Sequence, residues 1–95
     1  MPGTYRVLTT PAFEREFRKL VRKNPEIKNY LEQTVEIIET DPQNVTRSHD
    51  IKQLKDVKPG DGQFRLRKGD WRLRYDVSGR DVVLHSFRHR REAYR

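Results

Sequence analysis

Arginines recur at alternate positions in the last third of the chain, Arg65 and Arg67 and then Arg72 and Arg74, and a second group follows at Arg88, Arg90 and Arg91. Arginine outnumbers lysine 14 to 7. Lysine would serve solubility equally well, whereas the planar guanidinium fork suits bidentate contact with phosphate. His85, His89 and Tyr94 stand among these arginines and bring groups that can titrate or stack. Lys52, Lys55 and Lys68 are further cations close by in sequence. The chemistry on offer is recognition of a polyanion, with a few groups able to move a proton.

The charge is local. Residues 1–62 carry 11 basic and 10 acidic side chains, and residues 63–95 carry 10 and 4, so the formal charge of +7 lies almost wholly in the last third. Hydrophobic residues make up 33% of the 95, enough for one modest core and therefore one domain over residues 1–95. No apolar run approaches the roughly 20 residues of a membrane span, and the first ten residues hold no apolar signal core, so a cytoplasmic chain with no membrane partner is expected. There is no cysteine, which argues against a disulfide scaffold. Three histidines at 49, 85 and 89 do not make a zinc set, and neither metal nor cofactor is expected. Pro59-Gly60-Asp61-Gly62 is a turn cluster with no Lys-Ser/Thr, and so not a phosphate-binding loop.

The elements that must position these residues follow from periodicity. Residues 5–9 read as a strand. Thr10-Pro11 starts a helix with a hydroxyl cap and proline in first place, and Phe13, Phe17, Leu20 and Val21 give it one apolar face. Asn24-Pro25 repeats the start signal for a second helix, with Ile27, Tyr30, Leu31, Val35 and Ile38 as its stripe and Asp41-Pro42 as its end. Residues 43–62 are polar and irregular, anchored by Ile51 and Leu54. Strands over residues 63–68, 71–77 and 81–87 follow, joined at Gly69-Asp70 and Ser78-Gly79-Arg80. The order β-α-α-β-β-β predicts an α+β fold, an antiparallel sheet with a two-helix hairpin packed on one face.

Strand alternation then sorts the side chains. A two-residue turn at Gly69-Asp70 sets Arg67 opposite Arg72 and Arg65 opposite Arg74, with Phe64, Leu66, Leu73, Tyr75 and Val77 turned to the helices. Continued through the second turn, the same parity puts Val82 and Leu84 on the apolar face and His85, Phe87 and His89 beside the arginines; a bulge would reverse this last assignment. Four arginines placed across strands, with Asp76 the one acid among them, repel one another. A solvated basic face or a frayed basic tail would account for charge alone. The clustering favours phosphate.

The run Arg65-Leu66-Arg67-Lys68-Gly69-Asp70-Trp71-Arg72-Leu73-Arg74-Tyr75, followed by His89-Arg90-Arg91-Glu92-Ala93-Tyr94-Arg95, resembles the RelE/ParE toxin superfamily of toxin–antitoxin systems. The Phe13-x-x-x-Phe17-x-x-Leu20 helix and Lys52-x-Leu54-Lys55 fit the same pattern, so the resemblance covers essentially the whole chain. It implies a compact toxin silenced by a cognate antitoxin. RelE-like members cut messenger RNA in the ribosomal A site, whereas ParE-like members share the fold and poison DNA gyrase without catalysis. The resemblance carries the phosphate-contacting roles onto Arg65, Arg67 and Arg72, the tail's basic residue onto Arg90 with Arg88 as its alternative, and the terminal tyrosine onto Tyr94. Some relatives have lysines where this chain has Arg65 and Arg67.

Cleavage by the RNA's own 2′-hydroxyl requires that hydroxyl to lose a proton, the phosphorane to be stabilised, and the leaving 5′-oxygen to be protonated. Arg65, Arg67 and Arg72 meet the second need. Arginine hardly deprotonates, so proton transfer falls to Tyr94 or a histidine, His89 before His85. Arg74, Lys68, Arg88, Arg91, Lys52 and Lys55 would extend the phosphate contacts. The expectation is a ribosome-dependent endoribonuclease whose partners are the ribosome, messenger RNA and an antitoxin. Its rivals are a gyrase poison and a non-catalytic RNA- or ribosome-binding module.

Overall fold

The computed structural model describes residues 5–93, with Glu92 and Ala93 through their backbone only. Its elements run β1 (Arg6–Thr9), α1 (Pro11–Lys23), α2 (Ile27–Thr40), β2 (Ile51–Gln53), β3 (Phe64–Lys68), β4 (Trp71–Ser78), β5 (Asp81–His89) and α3 (Arg90–Ala93). The fold is α+β, with the two long helices on one face of the sheet, as the sequence predicts.

Thr10 caps α1 as its residue type foretells, the hydroxyl oxygen accepting from the Phe13 N–H at 3.0 Å. Phe13 is buried, and its ring stacks on Phe17 at 5.9 Å. Asn24 does not start the second helix. It closes the first, donating its N–H to the Leu20 carbonyl at 2.8 Å, and α2 begins at Ile27 without a side-chain cap. Ile27, Thr34 and Ile38 form the fully covered face of α2, the Thr34 hydroxyl satisfying itself on the Leu31 carbonyl.

The sheet differs from expectation in two ways. It has five strands in the order β1-β5-β4-β3-β2, because Ile51–Gln53 pairs with β3 instead of lying irregular. It is also mixed: β3, β4 and β5 alternate through tight hairpins, but β1 runs parallel to β5. Hairpins force antiparallel neighbours, whereas a strand that leaves through a helical pair is free to join an edge in parallel. A bidentate pair between the Arg6 guanidinium and the Asp81 carboxylate, at 2.9 and 3.1 Å, sits where those two residues face each other in the β1–β5 register.

The core is the helix-facing side of this sheet, Phe64, Leu66, Leu73, Tyr75, Val82, Leu84 and Phe87, against Phe13, Ile27 and Ile38. Tyr75 is its largest wholly buried side chain, and its hydroxyl donates to the Pro42 carbonyl at 2.7 Å. Burial, helped by the Asp41 carboxylate, pushes that hydroxyl well above the ordinary tyrosine range. The bond ties the loop after α2 to the central strand. The change Tyr75→Phe strands a buried carbonyl and should lower unfolding free energy by about 1–3 kcal/mol, read as a fall in the urea midpoint at unchanged slope.

Candidate nucleic-acid interface

The strand register arranges the cations on the sheet face opposite the helices into two rows. Lys52, Arg65, Arg74 and Ser86 are successive partners across β2, β3, β4 and β5. Arg67, Arg72 and Arg88 form the neighbouring row. The expected pairs, Arg65 with Arg74 and Arg67 with Arg72, are present.

Ser86 and Arg88 occupy this face because the β4–β5 ladder shifts register between Arg74 and Tyr75, which pair with Ser86 and Leu84 and leave His85 as the extra residue. Phe87 and His89 therefore do not stand beside the arginines. Phe87 is buried in the core and stacks on Trp71 at 5.1 Å, while His89 lies opposite Trp71 with its ring edge-on at 5.5 Å. Lys68 is displaced from the phosphate set by the same alternation, since it continues the Phe64–Leu66 side and faces Trp71 across the hairpin. Leu84 and Phe87 are three apart although both are core residues, and that broken period of two was the available signal for the bulge.

Like charges this close need fixed partners. The Arg74 guanidinium donates twice to the Gly62 carbonyl, at 3.1 and 2.8 Å. Arg72 is only 7% exposed and donates from Nη1 to the Gly69 and Trp71 carbonyls at 2.9 and 3.0 Å. Nε of Arg72 and Nε of Arg65 are buried without a hydrogen-bond partner. Arg72, Arg74, Ser86 and Arg88 together line a small polar cleft of about 40 Å³. Asp50 pairs with Arg67 and lies 3.9 Å from Arg65 Nη2. The acid that tempers the arginines is thus Asp50, just before β2, which sequence reasoning misses because residues 43–62 carry no strand periodicity.

Asp76 does other work. It is 8% exposed, and Oδ2 accepts from the Gly60 and Gly62 N–H groups at 2.9 and 3.2 Å, while Oδ1 accepts from Gln63 N–H at 2.9 Å. His85, released by the bulge, brings Nε2 within 2.6 Å of Oδ2. Burial pushes the Asp76 carboxyl up, but the backbone donors and His85 outweigh it and hold it below the ordinary range. A groove of about 460 Å³ opens here, bordered by Pro59, Gly60, Gln63, Asp76, Val83 and His85. A groove of about 500 Å³ lies elsewhere, along α1 between Phe13, Arg18 and Leu31, and holds no histidine.

The remaining sequence candidates are more scattered. Arg90 opens α3 at the hairpin end of the sheet, its N–H bonded to the Asp70 carbonyl and its guanidinium 3.7 Å from the Asp70 carboxylate. Arg91 is exposed, with its N–H on His89 Nδ1, and Lys55 is exposed in the turn after β2. Tyr94 lies outside the described residues. Among the described residues, no group of three His, Asp or Glu side chains could hold a metal, and no helix is long and apolar enough to cross a membrane.

A family model described as the ParE toxin of the type II toxin–antitoxin system parDE matches residues 7–94. Among solved structures, the chain is similar to one in the RelB–RelE antitoxin–toxin complex from Methanococcus jannaschii, with a TM-score of 0.66 and 18% identity over 92% of this chain and 94% of that one. At that identity the likeness concerns the fold alone. Comparison with curated proteins found no match.

Asp41 repeats the Asp76 device at the other loop, accepting from Val45 N–H, Thr46 N–H and the Thr46 hydroxyl at 2.7, 3.2 and 2.6 Å. Burial raises its carboxyl and these donors, with His49 nearby, lower it further than burial lifts it. Groups lowered on folding stabilise above the unfolded carboxyl value, about 3.9, and lose that contribution as pH falls through the folded one. Urea midpoints should therefore decline from about pH 5 downward, and the decline should be shallower in Asp76→Asn, which starts from a lower midpoint at neutral pH.

Proposed function

This chain belongs to the ParE toxin family of type II toxin–antitoxin systems, within the RelE/ParE superfamily, and from that premise we propose that it is an endoribonuclease of the RelE kind. It cuts messenger RNA on the ribosome, the 2′-hydroxyl attacking the adjacent phosphate. A cognate antitoxin, acidic where it binds, silences it, as the RelB–RelE complex suggests for a chain of this fold.

The observation that carries this reading is Arg72. An arginine only 7% exposed, its guanidinium oriented by two backbone carbonyls and flanked by Arg74 and Arg88, is held ready before any substrate arrives. Donors fixed in advance are worth most where charge appears in the transition state, because nothing has to reorganise. Arg65 and Arg67 extend the phosphate track, with Arg90 at its hairpin end and Tyr94 assigned to the same set by sequence resemblance.

Membership of the ParE family favours a second reading, a gyrase poison that binds without cutting. Messenger 5′ ends mapped in a translation extract, with and without ribosomes, separate the two when run beside a gyrase supercoiling assay. New 5′ ends that need ribosomes, reduced about 100-fold or more by Arg72→Ala, are expected. Supercoiling loss without new 5′ ends would replace the nuclease by the poison.

Asp50 competes with phosphate for Arg65 and Arg67. Asp50→Asn should tighten binding to an RNA oligonucleotide several-fold, with the log–log salt slope steeper by about one. Fluorescence anisotropy across a salt series checks this.

A further inference from the structure

The five arginines of the two rows, Arg65, Arg67, Arg72, Arg74 and Arg88, can hold a phosphate and none of them can move its protons. Of the three histidines, His49 belongs to the Asp41 loop, 3.9 Å from that carboxylate, and His89 faces Trp71. Only His85 lies with the arginine face. We propose that Asp76 and His85 form the proton-transfer couple of this toxin, His85 as the catalytic base and Asp76 as the residue that positions it, with the adjoining groove taking the nucleoside whose 2′-hydroxyl attacks. This rests on the RNA-cleaving reading above.

The geometry carries it in three steps. The Asp76 carboxylate oxygen 2.6 Å from Nε2 favours a hydrogen on that nitrogen over one on Nδ1. In the neutral ring Nε2 then holds the proton and Nδ1 is the free base. Asp76 cannot swing away, because Gly60, Gly62 and Gln63 fix both of its oxygens. A buried carboxylate that orients a histidine without itself taking the proton is a recurrent way of making imidazole a competent base.

Placement is the second step. Arg74 and Asp76 are two residues apart on the same face of β4, about 7 Å along the strand. His85 directly precedes Ser86, which lines the cleft with Arg72, Arg74 and Arg88. A phosphate on those arginines thus puts its attached ribose toward His85, and the groove beyond offers the flat or apolar surfaces of Pro59, Val83 and the imidazole itself. A groove with one base and apolar walls, opening beside an arginine-lined cleft, suits a nucleoside next to its phosphate.

The third step is the reaction. Nδ1 of His85 takes the 2′-hydroxyl proton as the O2′–P bond forms, and the P–O5′ bond breaks with its electron pair on O5′. Solvent supplies the proton to O5′, and the imidazolium later returns its own to solvent. The products are a 2′,3′-cyclic phosphate and a free 5′-hydroxyl, with no oxidant or metal consumed.

Single-turnover cutting of ribosome-bound messenger tests the couple. His85→Gln, which keeps a donor for Asp76, should lower the cleavage rate at saturating substrate about 100-fold or more, a loss that a missing stacking contact alone would not produce. Added imidazole should restore part of the rate to His85→Ala and none to Arg72→Ala. Asp76→Asn should slow the wild type but cost nothing further in the His85→Gln background, because its effect passes through the missing ring. Circular dichroism of each variant verifies folding. Wild-type rates in His85→Gln, or a loss that imidazole leaves untouched, would overturn the couple while leaving the nuclease intact. A wild type that cuts no messenger would overturn both.

Discussion

Leu84 and Phe87 must both reach the helices, and a regular strand cannot bring them there, because residues three apart point to opposite faces. The chain resolves the conflict with one extra residue in β5, at His85. The apolar requirement is the stronger one: a buried phenylalanine is worth about 1.5–3 kcal/mol over an exposed one, and Phe87 also stacks on Trp71 and meets Phe17 edge-on at 5.8 Å. Every residue of β5 after the bulge then changes sides, while His85 keeps its face. Ser86 and Arg88 move out to join Arg74 and Arg72, His89 moves back to Trp71, and His85 is turned to Asp76. With an unbroken register Arg88 would point at the helices, where an unpaired guanidinium costs several kcal/mol.

The second constraint is repulsion within the arginine rows, and the chain meets it mostly without neutralising them. Arg72 and Arg74 are bound to carbonyl oxygens of residues 62, 69 and 71, which accept hydrogen bonds but leave the positive charge standing. Carboxylates in those places would have stabilised the sheet more and spent the field that attracts an anion. One carboxylate, Asp50, sits at the β2 side of the rows, and the other, Asp76, is occupied by three backbone N–H groups and a histidine. The turn cluster at residues 59–62 gains a role from this. Its carbonyl at Gly62 orients Arg74, and its N–H groups fix Asp76, so one loop braces the arginine side and the His85 side together. At Gly62 itself φ is +82° and a Cβ would meet the Arg74 Cβ at 3.1 Å, so a larger residue there is strained and has to displace Arg74.

Local rules made much of this readable in advance. The Thr10 cap, the two helical stripes, the Gly69-Asp70 turn and the facing of Arg65 with Arg74 all depend on residues close in sequence, and each is found where period and turn chemistry put it. What escaped depends on contacts far apart in the chain. The parallel pairing of β1 and the short β2 are decided by which sheet edge is free, not by the propensity of RVLT or IKQ. The Asp50 ion pairs follow from β2 existing at all. The place of His89 opposite Trp71 follows from a bulge whose only trace in the sequence is a spacing of three where two is expected. Asp76 was visible as an acid among arginines, but its engagement with residues 60, 62 and 63 was not, since nothing in sequence measures how a polar loop folds over a strand.

A surface that only docks on another macromolecule gains little from sinking a charge. Rim guanidiniums reach their partners, adapt to them and stay hydrated until contact. Burying Arg72 to 7% exposure, with one nitrogen unpartnered, costs stability unless something anionic repays it on binding. A pentacoordinate phosphorane carries more charge than the diester it comes from, so a donor fixed beforehand favours the transition state over the ground state. In the proposed cleavage, proton transfer would by the same reasoning belong at a different place from charge stabilisation. An imidazole set within the arginine rows would be held neutral by their field yet poorly able to accept a proton, because the imidazolium would face several cations at once. Beside Asp76, and a residue's length away from the cleft, the ring has a carboxylate to balance the charge it acquires. The bulge that seats Phe87 in the core is what places it there.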